Sequence, residues 1–174
     1  IKKRRRVEKV YKDVLFISGC NENLPHPWRY RVKHQREQLE AMNYTTDEVY
    51  FTELELDIIR YYRSFVFFRC PETETIKGFV ALAKCLNKTV VYDIDDLVVD
   101  TKYTDQIKYV ASLPVEEKHA YDANVMSMQS MLKSCDYATT TTNCLKKELE
   151  NYCPKVYINR NVASEEMILL SEEA

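Results

Sequence analysis
The chain has 174 residues, 45% hydrophobic and 30% charged, with a formal net charge of −2. That length supports one domain with a real core, and the near-neutral balance argues against a dedicated nucleic-acid binder, which carries a basic excess. No run approaches the length of a transmembrane helix, and the start lacks the apolar core of a signal peptide, so the reading is a cytoplasmic protein.

Residues 1–12 hold the one charge asymmetry, Lys2, Lys3, Arg4, Arg5 and Arg6. It reads as a solvated linker or frayed terminus, or as a weak attraction to an anionic membrane at the cytoplasmic face. Val14-Leu15-Phe16-Ile17 is a first strand ending at Ser18-Gly19-Cys20, and Pro25 and Pro27 mark a loop. A helix is expected from about Tyr30 to Met42, then a weaker strand at Glu48–Phe51 and a strong one at Phe65–Phe68, stopped by Arg69-Cys70-Pro71. Ile76, Phe79, Val80, Ala83 and Leu86 recur at helical spacing, an amphipathic stripe. A fourth strand covers Thr89–Tyr92, and Pro114 opens a helix carrying Tyr121, Val125, Met128, Leu132 and Cys135. Tyr137–Thr140 is a fifth strand, Leu145, Leu149 and Tyr152 face one side of a short helix, and Val156–Ile158 is a sixth strand.

Strand and helix in regular alternation predict parallel strands joined by right-handed crossovers. The fold class is α/β, a doubly wound Rossmann-like parallel sheet of about six strands. No G-x-G-x-x-G follows the first strand, and Gly19 and Gly78 are the only glycines. A dinucleotide oxidoreductase is therefore a poor fit, and the absence of G-x-x-x-x-G-K-[ST] removes the P-loop enzymes. The six cysteines form no C-x-x-C pair and read as buried free thiols. His26, His34 and His119 form no metal signature.

The most informative run is Thr89-Val90-Val91-Tyr92-Asp93-Ile94-Asp95-Asp96, an apolar strand with three carboxylates where it stops. Ligands of open parallel sheets bind at the carboxyl ends of the strands. Close carboxylates repel, and such a group persists beside a cation, a sugar hydroxyl or a shared proton, or else as a helix cap with solvated acids.

Four pieces, in order, resemble the N-terminal half of a GT-B type glycosyltransferase, the two-Rossmann-domain enzymes that use nucleotide sugars. They are Arg29-Tyr30-Arg31-Val32 with Gln38-Leu39 and Asn43-Tyr44; Val91 to Asp96; Cys135 to Thr142; and Val156 to Val162. More narrowly, the chain is similar to bacterial cell-surface polysaccharide glycosyltransferases, rhamnosyltransferases among them. The resemblance implies an acceptor-side domain over residues 13–162, with 163–174 leading toward a donor-binding domain. It implies a nucleotide-sugar donor, a saccharide or lipid-linked saccharide acceptor, no metal and no cofactor beyond the co-substrate. Asp95 and Asp93 take the catalytic positions. Arg31, Arg69, Asp96, Ser18, Thr141 and Asn159 take the substrate-binding ones, the arginines facing acceptor phosphate or acidic sugar groups. Two departures stand out: Asp95 replaces a histidine of many relatives, and Arg160 a glycine.

Other classes share features. The same strand resembles a haloacid-dehalogenase phosphatase motif, with Asp93 as nucleophile and Asp95 as acid, yet no distal acidic pair accompanies it. The D-x-D spelling resembles the metal site of single-domain glycosyltransferases. A receiver domain would need an acidic pair where Ser18-Gly19-Cys20 stands. A non-catalytic Rossmann-like interaction domain is the remaining alternative.

Overall fold
A computed structural model describes residues 11–20 and 25–172; the basic block at residues 2–6 lies outside them. Six strands form one sheet: β1 (Lys12–Ser18), β2 (Thr46–Tyr50), β3 (Tyr62–Phe68), β4 (Thr89–Asp93), β5 (Tyr137–Thr140) and β6 (Val156–Ile158). Their order is β2-β1-β3-β4-β5-β6, and every pairing is parallel. The first crossover runs leftward from β1 to β2 and all later ones run rightward, so the order reverses at β1 and β3. In open α/β sheets such a reversal is where ligands bind, beyond the carboxyl ends of the strands.

Period-two alternation along the strands builds two cores. Leu15, Ile17, Phe65, Phe67, Val90 and Tyr92 face α3 (Glu74–Cys85) and α6 (Val115–Ser134), whose Phe79, Ala83, Met131 and Leu132 are buried against them. Phe16 and Phe68 face the other way, meeting Val32, Trp28 and Leu39 of the first helical segment. This two-sided burial is why the strands read as nearly continuous apolar runs. The doubly wound α/β class expected from the sequence is the class observed.

The first helical segment begins earlier than its prolines suggest. It runs as α1 (Pro25–Trp28), a wider π turn (Arg29–Lys33) and α2 (His34–Ala41). Pro25 and Pro27 sit in the first turn, where the missing N–H groups have no intrahelical partner to lose, so both are tolerated there rather than marking a loop. The edge strand β2 starts at Thr46 rather than Glu48, and Phe51 turns away into a 3₁₀ turn (Phe51–Glu53). Pro114 opens α6 as expected, its carbonyl accepting the Lys118 N–H at 2.8 Å. The remaining helices are α4 (Thr101–Thr104), α5 (Lys108–Ala111), α7 (Asn143–Leu149) and α8 (Glu165–Glu172).

With so few glycines, the chain closes two helices with asparagine. Asn43 and Asn87 follow the ends of α2 and α3 with φ of 64° and 54°. Lys88 N–H reaches back to the Ala83 carbonyl at 2.9 Å and Tyr44 N–H to that of Leu39 at 2.9 Å, satisfying carbonyls the helices leave open. Asparagine is the non-glycine residue that tolerates this conformation best. The third positive-φ residue, Arg69 at 47°, ends no helix.

Among the described residues no helix is long and apolar enough to cross a membrane. All six cysteines are free thiols. Four are buried, but Cys85 and Cys144 are exposed, because each sits on a helix flank that the sheet does not reach.

Candidate functional site
Three carboxylates do close the strand run, but they separate into two environments. β4 extends through Asp93, so Asp93 is a strand residue with 0% exposure rather than a loop residue. Its partner is Arg31, equally enclosed: Arg31 Nε donates to Asp93 Oδ2 at 2.9 Å and Nη2 to Oδ1 at 2.5 Å. Thr139 Oγ1, from the neighbouring strand, donates to the same Oδ1 at 2.5 Å. Burial pushes the Asp93 carboxyl above its ordinary value, with the Arg31 cation and the hydrogen bonds from Arg31 and Thr139 pulling the other way.

Arg31 sits in the π turn, marked by a His34 N–H to Arg29 carbonyl bond. Such bulges re-aim side chains and recur at functional sites. Its Nη1 donates to the Asn159 carbonyl at 2.6 Å and to Asn161 Oδ1 at 3.1 Å. With its amide oxygen turned toward the guanidinium, Gln35 accepts from Nη2 at 3.0 Å and from Nη1 at 3.1 Å. One side chain thus joins the first helical segment, β4 and the chain beyond β6, satisfying the fork geometry that arginine offers and lysine lacks.

The second environment belongs to the loop. Arg69, just past β3, donates from Nε to Asp95 Oδ1 at 2.7 Å and from Nη2 to Asp96 Oδ2 at 2.5 Å. Burial disfavours the Arg69 cation, but Asp95 and Asp96 together outweigh it and raise its pKa. Asp95 and Arg69 side chains are 15% exposed and that of Asp96 63%. Asp95 Oδ2 has no hydrogen-bond partner among the described residues. Asp95 thus has one oxygen fixed by Arg69 and the other without a bond among the described residues, a disposition suited to accepting a hydroxyl proton.

The cations that hold these acids together are therefore arginines of the same chain. The Arg31 guanidinium is enclosed and engaged within the chain, whereas Arg69 gives Nε and Nη2 to Asp95 and Asp96 and its side chain stays 15% exposed. Among the described residues no group of three His, Cys, Asp or Glu side chains converges on a metal-sized space.

Arg69 is strained as well as paired. Its left-handed backbone costs a non-glycine residue on the order of 1–2 kcal/mol, and such outliers gather at functional sites. Its own N–H donates to the Asp93 carbonyl at 3.0 Å, and Gly19 N–H donates to the Phe68 carbonyl at 2.7 Å. A Cβ on Gly19 would stand 2.2 Å from the Arg69 carbonyl oxygen. Gly19 is thus required for the close approach of the β1 and β3 ends, where the strand order reverses. Gly19→Ala should lower stability by about 1–3 kcal/mol through forced backbone displacement. A thermal melt unchanged by the substitution would show that the two loops have room to part.

Ser18 is buried and turned inward. Its hydroxyl donates to the Cys20 carbonyl and accepts the Cys20 N–H at 3.2 Å, so it locks the turn. The Cys20 thiol is buried, and desolvation pushes its pKa up against the pull of Arg69, which leaves it a poor nucleophile. Thr142, not Thr141, caps α7, accepting the Leu145 N–H at 3.2 Å. Thr141 is half-buried beside it at the same sheet edge. Asn159 donates its N–H to the Thr140 carbonyl at 2.7 Å and gives its own carbonyl to Arg31.

The predicted residues therefore share one edge of the sheet, divided into a closed hub (Arg31, Asp93, Asn159) and an open loop pair (Arg69 with Asp95 and Asp96). Sequence reasoning missed Thr139, Gln35, Asn161 and Gly19. Only Gly19 had a signal, as one of two glycines placed directly after a strand.

Neither a protein-family profile nor a curated protein sequence matches this chain.

Proposed function
We propose that this chain is the acceptor-side Rossmann-like domain of a nucleotide-sugar-dependent glycosyltransferase. Its setting would be bacterial cell-surface polysaccharide synthesis at the cytoplasmic face of the membrane. The observation that carries the reading is Asp95: a loop carboxylate next to the strand-order reversal, one oxygen held by Arg69 and the other without a bond among the described residues. In this reading Asp95 accepts the proton of the attacking hydroxyl, Arg69 positions it, and Asp96 offers a further acceptor to sugar hydroxyls. Residues 13–162 form the acceptor side and 163–174 lead toward the donor side. The resemblance of the four sequence pieces supports the same assignment. The enclosed Asp93 disfavours the haloacid-dehalogenase alternative, whose nucleophile must meet a phosphate in line; here both carboxylate oxygens are engaged at 0% exposure.

Charge narrows the acceptor class. Among the described residues, the loops leaving β3, β4 and β5 carry Glu72, Asp95, Asp96 and Asp100 against Arg69, itself paired twice, while the exposed Arg160 follows β6. An anion approaching the loops that leave β3, β4 and β5 meets mostly like charge, whereas hydroxyl and amino groups meet acceptors. The part of the acceptor that reaches Asp95 is therefore an uncharged or amino-bearing sugar. Ligand-observed NMR at millimolar saccharide tests both levels, using matched neutral, amino, uronic and phosphorylated sugars. Binding of neutral and amino sugars, weakened tenfold or more by Asp95→Asn with Asp96→Asn, is the expected result. Preference for the phosphorylated or uronic members overturns the acceptor class alone, and silence from every saccharide overturns the glycosyltransfer reading.

A further inference from the structure
Helix α8 has no buried residue, and Ile168, Leu169 and Leu170 are 50%, 55% and 60% exposed. Apolar packing therefore does not hold it to the domain. Polar bonds hold the chain leading into it: beyond the Asn159 N–H to the Thr140 carbonyl of β5, they come from one face of the first helical segment. Arg31 Nη1 donates to the Asn159 carbonyl at 2.6 Å, His34 Nδ1 lies 2.9 Å from the Val162 carbonyl, and Glu37 Oε1 accepts the Glu165 N–H at 2.7 Å. The three residues stand at i, i+3 and i+6, the spacing that lines side chains along one helix face. Their partners follow in the same order along residues 159–165. A cleft of about 240 Å³ remains between the helix and the arm, lined by Arg29, Lys33 and His34 on one side and Ser164, Glu166, Met167 and Leu170 on the other.

We infer that residues 159–172 are a strapped arm, fastened by Arg31, His34 and Glu37 and built to open from its distal end. The three fastenings differ in strength. Arg31 is 0% exposed and anchored behind by Asp93, and His34 is 2% exposed, stacked edge-on against Tyr30 at 5.2 Å. Glu37 is partly exposed, and its bond to Glu165 is solvent-accessible, so it competes with water. Opening begins at Glu165, releases α8, and stops at the segment Asn159–Val162, which Arg31 and His34 keep in place. Ser164 caps α8 by accepting the Met167 N–H at 3.2 Å, but a helix of eight residues is marginal on its own, so release of the strap lets α8 fray and exchange.

Hydrogen exchange read by mass spectrometry on the chain and two variants tests this. In Glu37→Ala, peptides covering 165–172 should exchange at least tenfold faster while those covering 156–161 and the strands β3 and β4 stay unchanged. Glu37→Gln, which keeps an acceptor oxygen, should restore most of the protection. In His34→Ala the faster exchange should spread back to residue 162. Three results would overturn the strap: equal exchange at 165–172 in Glu37→Ala and the parent chain, no protection of 165–172 in the parent chain, or loosening of 156–161 together with the arm. If His34→Ala fails to fold, the surface variants Glu37→Ala and Glu37→Gln decide alone.

Discussion

Arg31→Met should cost about 3–5 kcal/mol of folding stability, the loss expected when one partner of a buried ion pair is removed and the other charge stays behind. Against a total of about 5–15 kcal/mol for an ordinary domain, this is the largest single-residue effect anticipated here. The cause is local. Asp93 would keep Thr139 as a donor but lose both guanidinium bonds at 0% exposure. Asn159, Asn161 and Gln35 would lose a shared donor at the same time. Arg31→Lys should recover little, since an ammonium cannot span two carboxylate oxygens while also reaching the Asn159 carbonyl. Asp93→Leu added to Arg31→Met should recover part of the loss, because no buried charge then remains.

The pH dependence carries the same signature. Burial already holds the Asp93 carboxyl above its ordinary 3.8, and loss of Arg31 removes the main opposing influence, so its folded-state pKa rises further in the variant. A carboxyl with a raised folded pKa favours the folded state at low pH, and that contribution is lost as pH rises through the folded value. The stability gap between parent and Arg31→Met should therefore narrow as pH falls from 8 toward 4. Denaturant melts across that range measure it. A gap below about 1 kcal/mol at pH 7, or one that widens in acid, would show that Asp93 is not carried as a buried anion by Arg31.

Strand positions were readable because each strand is apolar on both faces and bounded by proline, glycine or charge, so Phe65–Phe68 and Val156–Ile158 stand out without tertiary context. The first helix was harder. Its prolines look like loop markers until they are counted as first-turn residues, and a π turn leaves no periodic trace distinct from an α-helix. Asp93, Asp95 and Asp96 were legible as a group, but their division was not. One residue of strand length decides that Asp93 points into the domain and Asp95 out of it, and boundaries are the least legible feature of a strand. The partners Arg31 and Arg69 lie 62 and 26 positions away from their acids, so no local pattern pairs them. Arg31 also looked like a ligand-binding cation because arginine is seldom fully buried, and the few that are pair with charges remote in sequence.

On the proposed glycosyltransfer, Asp95→Asn should reduce turnover about a hundredfold to ten-thousandfold in a polypeptide that carries this domain together with a donor-binding one, while moving the melting temperature little. The asparagine keeps the shape of the side chain, and its oxygen still accepts from Arg69 Nε, so the loop retains a bond at that 2.7 Å contact. It removes the negative charge at Oδ2, the atom that receives the proton of the attacking hydroxyl in the proposed reaction. A role confined to the Arg69 ion pair predicts the reverse pattern: lower stability from a weakened, partly buried pair with near-normal turnover in the surviving folded protein. Asp96→Asn provides the internal control. Its carboxylate is 63% exposed and pairs with the same Arg69, so it shares the structural role of Asp95 without the fixed and sheltered position. A large loss of turnover at Asp95 with a small one at Asp96 assigns the proton to Asp95. Equal and small losses at both positions would leave Arg69, Asp95 and Asp96 as a loop clasp and remove them from the chemistry.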